Sequence, residues 1–324
     1  MITTAQFNDF VKNAMVKWRE GYDRADNSIT QLYDITDTDF QTSDHSQIDG
    51  YGYARRKGEG DQVTKGTLKQ GYSVIINQTV IALEDTITWE MRRFDRYREI
   101  NKLLAGMGEA AAQRYYLDLT HQFTFGNATS YTNMDGETIS TAVGDGLALF
   151  SAVHTITGSS AVFSNVVSGN PVFSKAGLEA AESLFTQMIN MNGVKVIVKP
   201  DTIITSDDPA TVNAVKEFLQ STGYPDSAEN GVNVYKGKYK HIILPLLATD
   251  SNGAYNSAKA RWWFLAALNH KDAICEVAEQ PHLVMPKPFS NLEDEGTRDW
   301  TTQTFATYDY AVLDPKWIVA SLPS

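Results

Sequence analysis

The residues able to do chemistry in this 324-residue chain are scattered rather than grouped. Its six histidines, His45, His121, His154, His241, His270 and His282, fall into neither an HExxH nor an HxH pattern, so no single helix turn or strand offers two imidazoles to one metal. Cys275 is the only cysteine, which excludes an intrachain disulfide and a cysteine-cluster zinc site. The GxSxG nucleophile elbow, the Walker loop and a GxGxxG strand-to-helix turn are absent. Gly144-Asp145-Gly146 and Thr205-Ser206-Asp207-Asp208 have the small and acidic residues that can seat a phosphate or a cation, yet a tight turn and a helix cap account for both. Trp262, Trp263 and Phe264 suit a stacking platform for a sugar or a base, but RWWFLAAL reads as a buried strand, which favours core or a subunit interface. No catalytic set, cofactor site or metal site is expected.

With no chemistry to position, the distinctive elements are mechanical. Residues 50–83 form a glycine-rich, charged ribbon in which Tyr72, Val74 and Ile76, then Thr79, Ile81 and Leu83, give short stretches of strand character. The spacing predicts a long two-armed hairpin with its tip in RRKGEGDQ, where glycines make a turn inexpensive. Such a hairpin extends on the order of 50 Å and is marginal unless a partner orders it. Arg55, Arg56, Lys57, Glu59, Asp61, Lys65 and Lys69 are its candidate intersubunit contacts, through salt bridges and strand pairing.

From Thr88 the period changes to that of a helix, with Phe94, Tyr97, Ile100, Leu104, Met107, Ala111 and Tyr115 on one stripe and a basic opposite face. A helix from about Glu90 to Phe123 is roughly 50 Å long. Gly106 and Gly108 inside it predict a bend or the close approach of another backbone.

The composition, 42% hydrophobic and 21% charged, supports a sizeable core in two lobes. No run of 18 apolar residues occurs and the first residues lack a signal-peptide pattern, so no membrane partner is expected. A net charge of −11 argues against a surface made to grip nucleic acid. All ten prolines lie at or after Pro171, which divides an arm, ribbon and helix from a compact mixed region. There Ser174 caps a helix to about Met191, VKVIV (194–198) reads as a strand, and Asp208-Pro209 starts a second helix. VNVYKGK, HIILPLL, RWWFLAAL, AICEVAE and TFATYDYAVLDPKWIVASL read as further strands. The fold class is α+β.

This order of arm, glycine-rich loop, long helix and mixed body resembles the HK97-type major capsid proteins of tailed bacteriophages, most closely the Mu-like major head subunits. LFSAVHTITGSSAVFSN, VKVIVKPDTIITSDDPATVNAVKEFLQS, NVYKGKYKHIILPLL, KARWWFLAA and TFATYDYAVLDPKWIVAS are similar, in order, to passages of that family. The resemblance implies an N-terminal arm (1–49), an extended loop (50–87), a peripheral domain with the spine helix (88–199), an axial domain (200–290) and return strands of the peripheral domain (291–324). It implies pentamers and hexamers in an icosahedral shell, assembled in the bacterial cytoplasm around double-stranded DNA that the wall contacts weakly. Because the arm begins near Met1, it also implies a separate scaffolding protein, or else a mature form that begins at a re-engineered methionine, with a portal and a possible decoration protein as further partners. Some members link a loop lysine to a neighbour's asparagine; Lys57, Lys65 and Lys69 lie in the matching region, and ordinary salt bridges are expected instead. The family's maturation implies rotation of subunits and bending of the spine helix near Gly106 and Gly108. Two alternatives stand beside this reading: an encapsulin-like nanocompartment shell, and an unrelated enzyme or carbohydrate-binding protein.

Overall fold

The computed structural model describes residues 4–49, 53–66, 68–94, 96–223, 232–285 and 299–323, with only the backbone of residues 4–7 and 49. Gly50, Gly52, the Phe7 side chain and the expected boundaries at 50 and at 290–291 lie outside the described residues. In chain order the elements are α1 (Thr4–Tyr22), β1 (Asp34–Asp37), β2 (Thr42–Asp49), β3 (Lys69–Asn77), β4 (Thr79–Ile87), α2 (Trp89–Arg93) and α3 (Tyr97–Thr124). Four short strands follow, β5 (Ser130–Thr132), β6 (Thr138–Ser140), β7 (His154–Thr155) and β8 (Val162–Phe163), and then α4 (Lys175–Thr186). The chain continues through β9 (Thr202–Thr205), α5 (Pro209–Gln220), β10 (Lys240–Ile243), β11 (Trp263–Ala266), β12 (Ala273–Val284), β13 (Trp300–Val312) and β14 (Ile318–Ser321).

Two four-stranded sheets organise these elements, ordered β1-β12-β13-β4 and β10-β9-β11-β14. In the first, β13 alternates strictly, with Trp300, Thr302, Thr304, Ala306 and Tyr308 buried and the residues between them half-exposed. One face of that sheet therefore packs inward, as a period of two requires. It packs on α3, whose Ala112, Tyr115, Leu119 and Phe123 share a core with Cys275, Val277, Ala306 and Tyr308. The second sheet is short and apolar on both faces. Its β9, β11 and β14 are buried at every position, the mark of strands covered on two sides. On one side Leu178, Ala181 and Phe185 of α4 and Val215 and Phe218 of α5 meet Ile203, Trp263 and Val319.

The local start signals act as the sequence indicates. Ser174 accepts a hydrogen bond from Gly177 N at 3.2 Å and Asp208 one from Thr211 N at 3.0 Å, so both helices carry side-chain caps. Trp262, Trp263 and Phe264 are core residues, with Trp263 fully buried and its indole N–H donating to Pro171 O at 3.0 Å. A stacking platform is excluded by that burial. Gly144-Asp145-Gly146 is a turn in which Asp145 accepts from Leu147 N, and Thr205–Asp208 is strand end and cap.

Several expectations need correction. The long helix is divided: α2 ends at Arg93, and α3 starts at Tyr97 after a wide turn closed by Arg96 N donating to Met91 O at 3.0 Å. Two anchors pull the pieces apart, because Arg92 lies 4.0 Å over the Trp300 ring at the start of β13 while α3 is fixed on α1. Phe94 and Tyr97 thereby leave the buried stripe and are 67% and 49% exposed. The stripe holds from Ile100 onward. VKVIV is not a strand; Val196 N bonds to Met188 O across a turn at Asn190–Gly193, and the strand forms after Pro200 instead, as β9. VNVYKGK is also not a strand. Tyr235 and Tyr239, four residues apart, both insert into the second core, and Asn233 ties that segment to Ser221 O at the end of α5.

The spine helix α3 and α1 cross at very short range. A Cβ on Gly108 would stand 2.0 Å from Trp18 O, and one on Gly21 would stand 1.9 Å from Ala105 O. Each helix thus contributes a glycine where the other's backbone passes. A Cβ at Gly106 meets nothing within 4 Å. The two glycines therefore separate by experiment: Gly106→Ala should raise stability by about 0.5–1 kcal/mol, whereas Gly108→Ala should lower it by about 1–3 kcal/mol through overpacking. Denaturant melts of the two variants check this, and limited proteolysis should find α1 released only in the second.

Candidate assembly interface

The projecting loop is made by β2 and β3, which pair antiparallel from Thr42 opposite Asn77 to Asp49 opposite Lys69. The hairpin predicted within residues 50–83 is therefore displaced: its first arm precedes Gly50, and Thr79–Ile87 leaves the loop to pair with β13. Gln78 N donates to Gln41 O at 2.9 Å and closes the base of the loop, so the branched residues of TVIAL fall in register with the long sheet.

Residues 53–66 between the arms are exposed throughout and form no strand. Gly58–Asp61 is a turn in which Gly58 N donates to Asp61 Oδ2 at 3.0 Å and Asp61 N to Gly58 O at 3.3 Å. Gly60 at φ +81° occupies the left-handed position that the turn requires. Arg55, Arg56, Lys57 and Glu59 surround this turn, with Asp61 inside it and Lys65 further along, all exposed. Lys69 is not with them. It opens β3 opposite Asp49, at the tip end of the ladder, with Nζ donating to Met191 O at 3.1 Å.

The root is held mainly by polar contacts. His45 Nε2 lies 2.8 Å from Glu276 Oε1, Gln47 donates to Asp314, Tyr72 OH meets Thr155 Oγ1 at 2.8 Å, and Asn77 N donates to Asp309 Oδ2 at 3.1 Å. Ile76 is the fully buried apolar residue among the described positions of the two arms. Burial pushes the Asp309 carboxyl up to about 6, with the nearby charges of Asp118 and Glu276 adding to it against the N–H groups of Tyr310 and Asn77. Asp272 is pushed up to about 6 by burial and then by the charge of Asp314.

Beneath the root lies a buried pair that the sequence did not single out. His154 Nδ1 is 2.9 Å from Asp145 Oδ2 and its Nε2 is 3.2 Å from Leu149 O. Burial opposes ionisation of Asp145, but His154 and the N–H groups of Leu147 and Thr155 outweigh it and hold the carboxyl below its usual range. The turn aspartate and a histidine nine residues on were the available signal. His121 and His241 also bond to threonine hydroxyls, Thr249 and Thr205, so these histidines are structural. Among the described residues no group of histidine, cysteine and carboxylate side chains could hold a metal, and no helix is long and apolar enough to cross a membrane.

A second feature faces outward. β4 is the edge strand of its sheet, with Val80 and Leu83 61% and 42% exposed. Beside it runs an open groove of about 440 Å³, floored by Ala110, Ala111 and Arg114 of α3 and bounded by Met134 on the β5–β6 turn. Arg114 is fixed there by Asp118 and Asp135, each at 2.8 Å. A free strand edge above a groove is a surface on which an extended segment can pair.

A family model described as phage capsid protein matches residues 72–321. The chain belongs to the phage capsid protein family. This capsid protein has the HK97-like α+β fold, for it is similar to solved phage structures over nearly its whole length. The capsid of Ralstonia phage GP4 is similar at 10% identity and a TM-score of 0.54, over 90% of this chain and 87% of that one. A Gordonia phage Cozz chain is similar at 12% identity and 0.51, over 90% and 84%. The capsid of cyanophage P-SCSP1u is similar at 12% identity and 0.51, over 89% and 85%. No curated protein sequence matches. The capsid protein is thus a structural component of the virion that assembles with its own copies into the shell, and the unrelated-enzyme alternative is set aside by the family match.

The raised carboxyl of Asp309 sets the sign of a pH effect. Its folded value of about 6 exceeds the ordinary 3.8, so its contribution to stability is complete below about pH 4 and is lost as pH rises through 6. Asp309→Asn keeps one oxygen to accept from Asn77 N, gives up the oxygen that accepts from Tyr310 N, and removes the charge. The variant should melt a few degrees above the parent at pH 7.5, on the order of 2 kcal/mol, with the gap closing at pH 4. An equal gap at both pH values would contradict this.

Proposed function

We propose that this capsid protein is the major head subunit of a tailed bacteriophage, closing as pentamers and hexamers into an icosahedral shell around double-stranded DNA. The observation that carries the reading is the loop: rooted on its own body, its 53–66 tip touches little of that body and presents Arg55, Arg56, Lys57, Glu59, Asp61 and Lys65 outward. Among its described residues the tip forms no ion pair with the body, and Asp61 alone of its charges is engaged, within the turn; such a tip is suited to a neighbour, and the β4 edge with its groove is a surface suited to receive it. Each such contact is modest, and the wall is strong because many act together.

The subunit divides, in this reading, into an arm (1–49), the loop (50–87), a peripheral domain (88–199 with the return strands 291–324) and an axial domain (200–290) around the rotation axes. The two cores cut across these bounds, since α4 and β14 pack with the short sheet and β12 lies in the long sheet over α3. The net charge of −11 fits a container into which DNA is driven rather than attracted. A separate scaffolding protein, a portal and a decoration protein complete the set of partners, assembly takes place in the host cytoplasm, and the wall performs no catalysis. The order of the sequence passages supports a place in the Mu-like branch.

Negative-stain images of the purified protein test the reading. Closed shells or rings of five and six subunits are expected, and uniform particles of single-subunit size would overturn it. Shells filled with another protein instead of DNA would favour the nanocompartment. After boiling in denaturant the shells should run as one band at the monomer mass, because Lys57, Lys65 and Lys69 act through charge and hydrogen bonds. A ladder of heavier bands would show covalent links.

A further inference from the structure

The joint between α2 and α3 has a composition that the subunit itself uses only in part. Between residues 92 and 102 five cations, Arg92, Arg93, Arg96, Arg98 and Lys102, stand against Asp95 and Glu99, in a chain of net charge −11. Arg92 covers Trp300 and Arg96 lies 3.5 Å from Glu99, while Arg93, Arg98 and Lys102 are exposed. Among them Phe94 and Tyr97 are exposed as well, which the expected core stripe would not allow. Rings set among arginines are the composition of a protein interface centre. A DNA backbone would use the arginines but offers a phenylalanine ring nothing to bury it.

A surface of complementary make-up occurs on the same chain. Residues 34–44 hold four aspartates and no cation. Ile35 and Phe40 lie exposed among them, Phe40 at 71%. Asp34 is paired with Lys271 at 2.9 Å and Asp37 accepts from Gln280 at 3.1 Å, whereas Asp39 is open to solvent. Glu279 adds a further carboxylate two residues from Val277, the partner of Asp37.

The two surfaces cannot meet within one subunit. Asp37 is level with Val277, Tyr308 and Thr79 across the long sheet, while β4 carries the chain from Thr79 to Ile87, opposite Trp300, before α2 begins. Eight residues of strand separate the levels by about 26 Å, and β1 and β4 are opposite edges of the sheet. Complementary patches at opposite corners make a head-to-tail contact, the kind that closes rings.

We propose that the basic, aromatic α2–α3 joint of one copy docks on the acidic Ile35–Phe40 corner of a second copy, with Phe94 against Phe40 and Arg93 and Arg98 facing Asp37 and Asp39. This rests on the capsid reading and adds to it a contact between subunits outside the projecting loop. The charges set the register and the approach, and the rings supply the buried area.

The experiment is a charge exchange on the full-length protein, scored by the assembled fraction in sedimentation and negative stain. Circular dichroism melts establish that each variant is folded. Arg93→Glu with Arg98→Glu, and separately Asp37→Lys with Asp39→Lys, should each lower the assembled fraction by about tenfold or more; one chain carrying all four exchanges should recover it, because Glu then faces Lys at every contact of a ring of any size. Normal assembly of either double variant alone would overturn the proposal, and so would a fourfold variant that assembles no better than the two double variants. Shells that form normally from the Arg93→Glu, Arg98→Glu variant but fail to retain DNA would overturn it in favour of a nucleic-acid surface. If a charge variant does not fold, oxidised shells of Phe94→Cys with Phe40→Cys decide: chains joined in a non-reducing gel support the contact, and monomer alone overturns it. Parent protein that stays monomeric throughout would defeat the capsid reading itself, an outcome distinct from all of these.

Discussion

The crossing of α1 over α3 is the constraint on which the loop-bearing half of the subunit depends. Gly108 lets the backbone at Trp18 pass and Gly21 does the same for Ala105, so the two helices approach more closely than side chains elsewhere permit. That approach buries Ala14, Trp18, Leu104 and Met107 in one cluster with Ile87 and Trp300. The first arm, the spine and the end of the long sheet are thereby made one body. Each fully buried large side chain in such a cluster contributes about 1.5–3 kcal/mol, which ordinary propensity in a glycine-containing helix could not supply.

The other end of the molecule is held on different terms. The loop root depends on hydrogen bonds, each worth about 0.5–1.5 kcal/mol net, and on one buried isoleucine. A body closed by hydrophobic burial and an appendage fastened by polar contacts give a subunit whose frame stays constant while its loop can be re-seated. That division suits a protein that meets its neighbours in more than one relative orientation.

Much of this was legible in the chain. The caps at Ser174 and Asp208, the buried Trp263 and the helix stripe from Ile100 onward follow from local patterns, and the structure has them. The family order was legible for the same reason, since order survives where individual motifs fade. What local patterns did not convey was pairing at a distance. Nothing near Thr42–Asp49, an acidic and polar stretch, marks it as the partner of β3, and nothing in TVIAL says it will join β13 rather than the loop. The helix break escaped for a similar reason: the stripe through Phe94 and Tyr97 is unbroken in sequence, and it is at the contact of Arg92 with the distant Trp300 that the chain turns aside. The histidine buried against Asp145 depends on a fold-back of the chain at a turn.

The last strand has a consequence for timing. β14 is buried along its length, with β11 on one flank and Asn165–Val167 bonded to Ala320 on the other. Until residues 318–321 leave the ribosome, the short sheet lacks a wall and the hydrophobic interior beneath it stands open. A nascent chain therefore cannot present a finished surface to its sisters, and polymerisation waits for translation to reach that strand. The stitch that closes the fold also serves as a clock.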